Sequence, residues 1–434
     1  MSDHMHLVGF LGTGPTVSHH GTWRYPTTEN DYLDAEFLCR TAQTLERAKF
    51  DAVFYADSIT FFEGQAETGG TLYMLDPVVV AAMVAKATSK IGIGLTVSTG
   101  FFEPYPIARS LATLDLLSGG RIAWNIVTGG SDAEARKIGQ DGLPGRSERY
   151  ERATEIVEAC LKLWNSFPMD AVVADRQSGE FIDTSRLETF TYQGEHVRTE
   201  GYLSVPESPQ QRPVLMQAGS SPQGRDVAAR FAEVVFMIQR TAGEIRSFVD
   251  DMDTRLDRFG RSRKECAILP MVHVVVGETT RIAQEKWDLL NSLVNQDAAV
   301  AWTSQAAGVD LSGISADTPL QDIDLAAHAG GGGSTGYFNL LLQQADGRED
   351  MTLGEAAVLM TNSPAPALVG DPDEVADQME ELFAAGGSDG FMVSAPIMPG
   401  GFEDFARMVV PRLQARGLVQ QDYPGSTLRE TLFE

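Results

Sequence analysis

Eight short apolar runs, separated by segments of helical period, constrain the fold more than any other feature of this chain. They are HLVGF, DAVFYAD, IGIGLTVS, RIAWNIV, PVLMQA, EVVFMI, ILPMVHVVV and GFMVS. Apolar runs of this length read as strands buried on both faces, the pattern of a parallel sheet. Between them, residues 35–49 set Phe37, Leu38, Ala42, Leu45 and Ala48 at helical spacing behind a cap at Asp34. Residues 150–164 and 372–385 repeat that period, the latter capped by Asp371 and opened by Pro372. Strand and helix in alternation predict an α/β fold, the (β/α)8 TIM barrel.

The chain has 434 residues, 43% of them hydrophobic, enough to build such a barrel as one domain over 1–434. Two stretches break the rhythm and are predicted to be insertions capping the C-terminal face of the barrel. The first, about 166–212, is polar and carries a hairpin pattern over 181–205. The second, about 296–362, surrounds a Gly330–Gly333 run, which reads either as a hinge or as a plain surface loop.

A net charge of −26 argues against nucleic acid or an anionic membrane as a partner, since either requires a basic surface. No apolar run reaches spanning length, and the start MSDHMHLVGF lacks the pattern of a signal peptide, so the expectation is a cytoplasmic protein. Cys39, Cys160 and Cys266 lie far apart among apolar residues and read as reduced structural thiols. The seven histidines include no His-x-x-x-His pair and no zinc-type cluster, so no metal is expected.

In a barrel, chemistry gathers at the C-terminal ends of the strands, and here those ends are polar. Asp57 and Ser58 follow the second run; Thr96, Ser98 and Thr99 end the third; Asn125 and Thr128 end the fourth; Ser220 and Ser221 follow the fifth. Taken singly, each is as readily a satisfied turn residue. Taken together, they are hydroxyls and amides suited to binding a polar heterocycle with a phosphate tail, which points to a cofactor that carries the chemistry. QAGSSPQGRDVAARF (217–231) fits that view: Ser221 is placed to cap a helix and Pro222 to open it, so free N–H groups and two hydroxyls converge on an anion. An ordinary capped strand–helix junction fits the same residues. His19 and His20, followed by Trp23 and Tyr25, form a titratable aromatic cluster after the first strand that could wall a substrate pocket or pack as a surface loop. Glu63 and Glu67 sit in one Gly-rich loop and have no partner carboxylate on a second strand end, a poor basis for a glycosidase. Neither a Gly-x-Ser-x-Gly elbow nor a P-loop is present, and Gly9-x-x-Gly12-x-Gly14 lacks the Rossmann spacing.

FYADS (54–58), TVSTGFFEPYPIAR (96–109), LDLLSGGRIAWNIVTGGSDAEARKIG (114–139), RYERATEIVEACLKLW (149–164), PVLMQAGSSPQGRDVAARFAEVVF (213–236) and the tail DYPGSTLRETL stand in an order that resembles one family. It is that of the bacterial luciferase-like flavin-dependent monooxygenases, in the branch of nitrilotriacetate monooxygenase and dibenzothiophene-sulfone monooxygenase. The resemblance implies a barrel with capping insertions that inserts one atom of O2 into a small organosulfur, aminocarboxylate or heteroaromatic substrate. It implies FMN as cofactor, used as FMNH2 supplied by a separate NAD(P)H-dependent flavin reductase, and a homo-oligomer, dimer or tetramer. By resemblance, Asp57, Thr96, Tyr150, Ser220 and Ser221 contact FMN and Asn125 lies near its ring system, with Thr128 also on that rim. Arg146 stands where many relatives carry His, four residues before the Tyr. For catalysis the candidates are Asn125, His19 and His20, the histidines orienting substrate or the activated oxygen. An F420-dependent oxidoreductase on the same scaffold and a non-catalytic flavin-binding protein are the alternative readings.

Overall fold

The computed structural model describes residues 4–15, 19–59, 66, 67, 69, 73–219, 221–328, 338, 341, 342, 350–361 and 365–433. The Gly330–Gly333 run and Glu63 lie outside the described residues.

All eight apolar runs form strands of one closed parallel sheet. In chain order they are β1 (His6–Leu11), β2 (Ala52–Tyr55), β3 (Gly92–Ser98), β4 (Ile122–Val127), then, after an antiparallel hairpin of β5 (Phe190–Gln193) and β6 (Arg198–Gly201), β7 (Val214–Ala218), β8 (Val234–Met237), β9 (Ala267–Val276) and, past β10 (Ala367–Gly370), β11 (Gly390–Ser394). The barrel runs β1-β2-β3-β4-β7-β8-β9-β11 and closes through β11 onto β1. None of the eight apolar runs corresponds to β10, which pairs in parallel with residues 273–276 at the far end of β9. With ten residues, β9 is long enough to serve three neighbours.

The helices that follow in chain order are α1 (Ala35–Arg47), α2 (Pro77–Ala87), α3 (Pro104–Ser118), α4 (Asp132–Lys137), α5 (Arg146–Trp164), α6 (Pro222–Phe231), α7 (Ala242–Arg258), α8 (Thr280–Ser292), α9 (Gln296–Ala307), α10 (Leu353–Thr361) and α11 (Pro372–Gly386), of which α9 and α10 belong to the second insertion. Their starts are chemically fixed: Asp34 accepts from Glu36 N, Asp371 from Asp373 N and Glu374 N, and Ser221 from Gly224 N. The outer core is dense. Trp124 of β4 meets Trp164 of α5 edge-on at 6.0 Å, and each indole N–H donates to a backbone carbonyl, of Val97 and Ala108 respectively.

Residues of odd and even position separate cleanly along each strand. Phe391 and Val393 pack outward with the helices, whereas Met392 packs inward with Val8, Phe54, Ala123, Met216 and Met271. Gly94 belongs to the inner set, where a Cβ would come within 3.0 Å of Met216 Sδ and 3.1 Å of Phe54 Cδ2. A last helix, α12 (Leu428–Phe433), closes the N-terminal end: Leu428 and Leu432 join the inner cluster, and Arg429 forms a double contact with buried Glu233, which Arg212 also bridges. The barrel is thus filled below and stoppered, leaving the C-terminal face for chemistry.

The hairpin pattern of the first rhythm-breaking stretch is β5–β6, and the described part of the second contributes α9 and α10, which pack on one another around Val300, Leu353, Ala357 and Met360.

Candidate active site

By the same alternation, Thr96 of β3 and Asn125 of β4 project into the barrel, directly opposite one another in the register of the pair. Asn125 Nδ2 donates to Thr96 Oγ1 at 2.9 Å, and Thr96 Oγ1 donates to the Tyr55 carbonyl at 3.2 Å. This relay fixes the orientation of the Asn125 amide. Its Oδ1 is buried and has no hydrogen-bond partner among the described residues, an arrangement that costs free energy unless a ligand supplies a donor. Asp57 lies two residues past β2, and burial, reinforced by the nearby Asp76 and Glu134 carboxylates, pushes its pKa up to about 6. Thr128 sits half-buried just past β4.

The second polar centre is at the start of α6. Ser221 Oγ accepts from Gly224 N at 3.1 Å and lies 3.1 Å from the Tyr150 hydroxyl of α5, so two hydroxyls stand together at the N-terminus of one helix. A Cβ on Gly224 would come within 3.0 Å of Tyr150 Oη and 3.1 Å of Ser221 Oγ; glycine keeps this cradle open. Arg225 turns away from it, bridging Asp251 at 2.8 Å and lying over the Phe248 ring. Arg146 opens α5 at an exposed position one turn before Tyr150. Arg149, which the sequence reading passes over, donates to the Gly129 carbonyl at 2.8 Å, while its buried Nε has no partner among the described residues. In sequence it opens the run RYERATEIVEACLKLW (149–164), where no role is assigned to it. Ser220 lies outside the described residues.

His19 and His20 are both buried, by different neighbours. His19 Nδ1 accepts from Gly21 N at 2.9 Å, so Nε2 carries the proton and donates to Asn291 Oδ1 of α8 at 3.2 Å. Its ring meets Trp287 edge-on, and burial drives its pKa down to about 3. His20 meets Trp302 of α9 edge-on at 5.6 Å; burial lowers its pKa to about 4, and its Nδ1 has no partner among the described residues. Both imidazoles are therefore uncharged at neutral pH. Tyr25 packs with Leu290 and Ile397, whereas Trp23 is exposed and donates to the Gly69 carbonyl. The structure also brings a third imidazole, His273 of β9, into electrostatic reach of His19. Like Ser394, its register partner on β11, it faces the barrel interior.

A stoppered (β/α)8 barrel with polar, hydrogen-bonding strand ends and a hydroxyl-lined helix start is an enzyme scaffold suited to holding a cofactor. The described residues contain no group of three or more His, Cys, Asp or Glu that could hold a metal ion, and no helix among them is long and apolar enough to cross a membrane.

The chain belongs to the luciferase-like monooxygenase family, whose sequence profile matches residues 15–389, and it is a flavin-dependent monooxygenase. It is 36% identical over 440 aligned residues to the dibenzothiophene-sulfone monooxygenase of Rhodococcus erythropolis (strain XP), covering 99% of this chain and 96% of that one. Nitrilotriacetate monooxygenase component A of Aminobacter aminovorans is 35% identical over 439 residues, 98% of this chain and 95% of that one. Among solved structures, a riboflavin lyase crystallised with modified FMN and riboflavin superposes with a TM-score of 0.85 at 29% identity, covering 99% of this chain and 96% of that one. The expectations of family and barrel therefore stand.

Proposed function

We propose that the chain is the oxygenating component of a two-component system, using FMNH2 from a separate NAD(P)H-dependent flavin reductase to insert one atom of O2 into a small organic substrate. The observation that carries this reading is the pair of hydroxyls, Tyr150 and Ser221, set over the N-terminus of α6 beside a glycine that leaves the space open. In this reading they hold the FMN phosphate, with Ser220 and Arg146 contributing. The unpartnered Asn125 Oδ1 and Arg149 Nε are buried polar atoms that a flavin would satisfy, so the residues present fit the group. Thr96 orients the Asn125 amide toward the ring system, and Asp57 and Thr128 line the same rim. Bound FMNH2 supplies the two electrons that let one oxygen atom go to substrate and the other leave as water. The contribution of the chain is to orient and to keep water out, with His19 and His20 held neutral beside the insertion that carries Trp302. In this reading the 434 residues act as a single domain with its two insertions, as a homo-oligomer in the cytoplasm.

Oxygen uptake by the purified chain with FMNH2 from a generic reductase tests the proposal, run beside reduced F420 while sulfur compounds and aminocarboxylates are screened. Oxygen use matched by oxygenated product with FMNH2 alone supports it. No tight binding of reduced FMN overturns it.

A further inference from the structure

The inner face of the barrel has a layered composition. Phe10, Phe54 and Phe236 meet in tilted contacts across β1, β2 and β8, with ring centroids 5.6 and 5.0 Å apart, and Met216, Met271 and Met392 pack in the same inner layer. Toward the C-terminal ends, this apolar floor gives way to polar side chains in two places. Thr96 and Asn125 form one edge; His273 and Ser394, paired in register on β9 and β11, form the other. In the closed order of eight strands, β4 and β11 are four strands apart in either direction, so Ser394 stands across the barrel from Asn125.

Ser394 is fully buried, and its Oγ has no hydrogen-bond partner among the described residues. A serine among apolar neighbours ordinarily bonds a nearby carbonyl, and leaving the buried hydroxyl unpaired is unfavourable. The unpaired Nδ1 of His20 lies in the same histidine group, through His19, as His273. Two unsatisfied polar atoms on the side of the barrel away from the cofactor edge indicate a second ligand.

We propose that Ser394 is a substrate-positioning residue, hydrogen-bonding an uncharged acceptor atom of a molecule whose apolar body lies on the Phe10–Phe54–Phe236 floor. The inference rests on the flavin monooxygenase reading for its division of the mouth into a cofactor edge and a substrate edge. It names the substrate class as neutral and largely apolar, with one hydrogen-bonding oxygen, and not as a polycarboxylate. Carboxylates brought against the Ser394 hydroxyl, with the neutral His19 and His20 imidazoles nearby, would lose hydration without gaining a counter-charge there.

The test is equilibrium dialysis of the full chain with diphenyl sulfone, diphenyl sulfide and nitrilotriacetate, a measurement that requires no turnover. The sulfone is expected to bind about tenfold more tightly than the sulfide, the ratio for one hydrogen bond. Ser394→Ala is expected to erase that ratio and Ser394→Thr to restore it, with thermal melting reporting that each variant is folded. Equal binding of sulfone and sulfide, a ratio that survives Ser394→Ala, or no binding of either neutral probe overturns the proposal. So does tighter binding of nitrilotriacetate, which would shift the assignment to a cation such as Arg240, half-buried after β8. Flavin titration of the same preparation separates the two readings: loss of FMN binding removes the proposed function and leaves the sulfone ratio to be judged on its own.

Discussion

Replacing Ser221 separates the role its hydroxyl has in the structure, capping α6, from the role proposed for it, binding the FMN phosphate. As a cap, Oγ accepts one bond from Gly224 N at 3.1 Å, and Ser221→Ala should lower the free energy of unfolding by about 1 kcal/mol. As a phosphate ligand, it makes a hydrogen bond to a charged group worth about 1.5–3 kcal/mol, so FMN should bind roughly 10- to 150-fold more weakly. Ser221→Asp pulls the two effects apart. Aspartate caps a helix as well as serine does, which predicts stability within about 0.5 kcal/mol of the parent protein. Its carboxylate, however, would repel a phosphate at the seat, and FMN affinity should fall further than in the alanine variant. Urea unfolding followed by circular dichroism gives the first quantity, and quenching of flavin fluorescence on titration gives the second. Riboflavin, which lacks the phosphate, is the internal control and should bind all three proteins alike. If Ser221→Asp binds FMN like the parent chain, the α6 terminus is a structural cap and the phosphate lies elsewhere.

Asn125→Ala should weaken FMN binding about tenfold while leaving stability within about 1 kcal/mol, because it deletes an unsatisfied buried oxygen and Thr96 keeps its bond to the Tyr55 carbonyl; a large loss of stability with unchanged affinity would make Asn125 a packing residue. Asp57 has its pKa raised to about 6 from 3.8, so between these values the folded state binds more protons than the unfolded one and stability falls as pH rises through that window. Asp57→Asn should therefore melt above the parent protein at pH 7, with the difference fading below pH ~4; a difference that does not change with pH would refute the assignment. His19 and His20, lowered to about 3 and 4, contribute with the opposite sign between those values and 6.5, so only the difference between variant and parent isolates Asp57. At the closed end, burial works to raise the Glu233 carboxyl, but Arg429 and Arg212 outweigh it and hold its pKa below the usual range. Arg429→Ala should cost about 3 kcal/mol in urea unfolding, the low end for breaking a buried ion pair since Arg212 remains, and an unchanged midpoint would show that α12 is not a structural stopper.

The barrel was legible because a strand buried on both faces must be apolar at nearly every position, and eight such runs leave few alternatives. β10 was not, because ALVG is four residues long and exists as a strand only through the overhang of β9 that it pairs with. The proposed anion seat divides in the same way. Ser221 and Pro222 announce a capped helix locally, but the approach of Tyr150 spans 71 positions and follows from how α5 packs beside α6.

The histidines illustrate a different limit. Their position after the first strand marks them as candidates, but only tertiary contacts distinguish His19, with both nitrogens engaged, from His20, whose Nδ1 has no partner among the described residues. His273 and Ser394 carried a usable signal that apolar content alone obscures. Each is a polar residue inside an apolar run, at the parity that faces the barrel axis, as are Thr96 and Asn125. In a parallel barrel that parity is set by the register with neighbouring strands, so a polar side chain there is committed to the interior. It must then find a partner within the barrel or meet a ligand at its mouth. Thr96 takes the first course, Ser394 is left with the second, and Asn125 takes both, donating to Thr96 while its Oδ1 stays open.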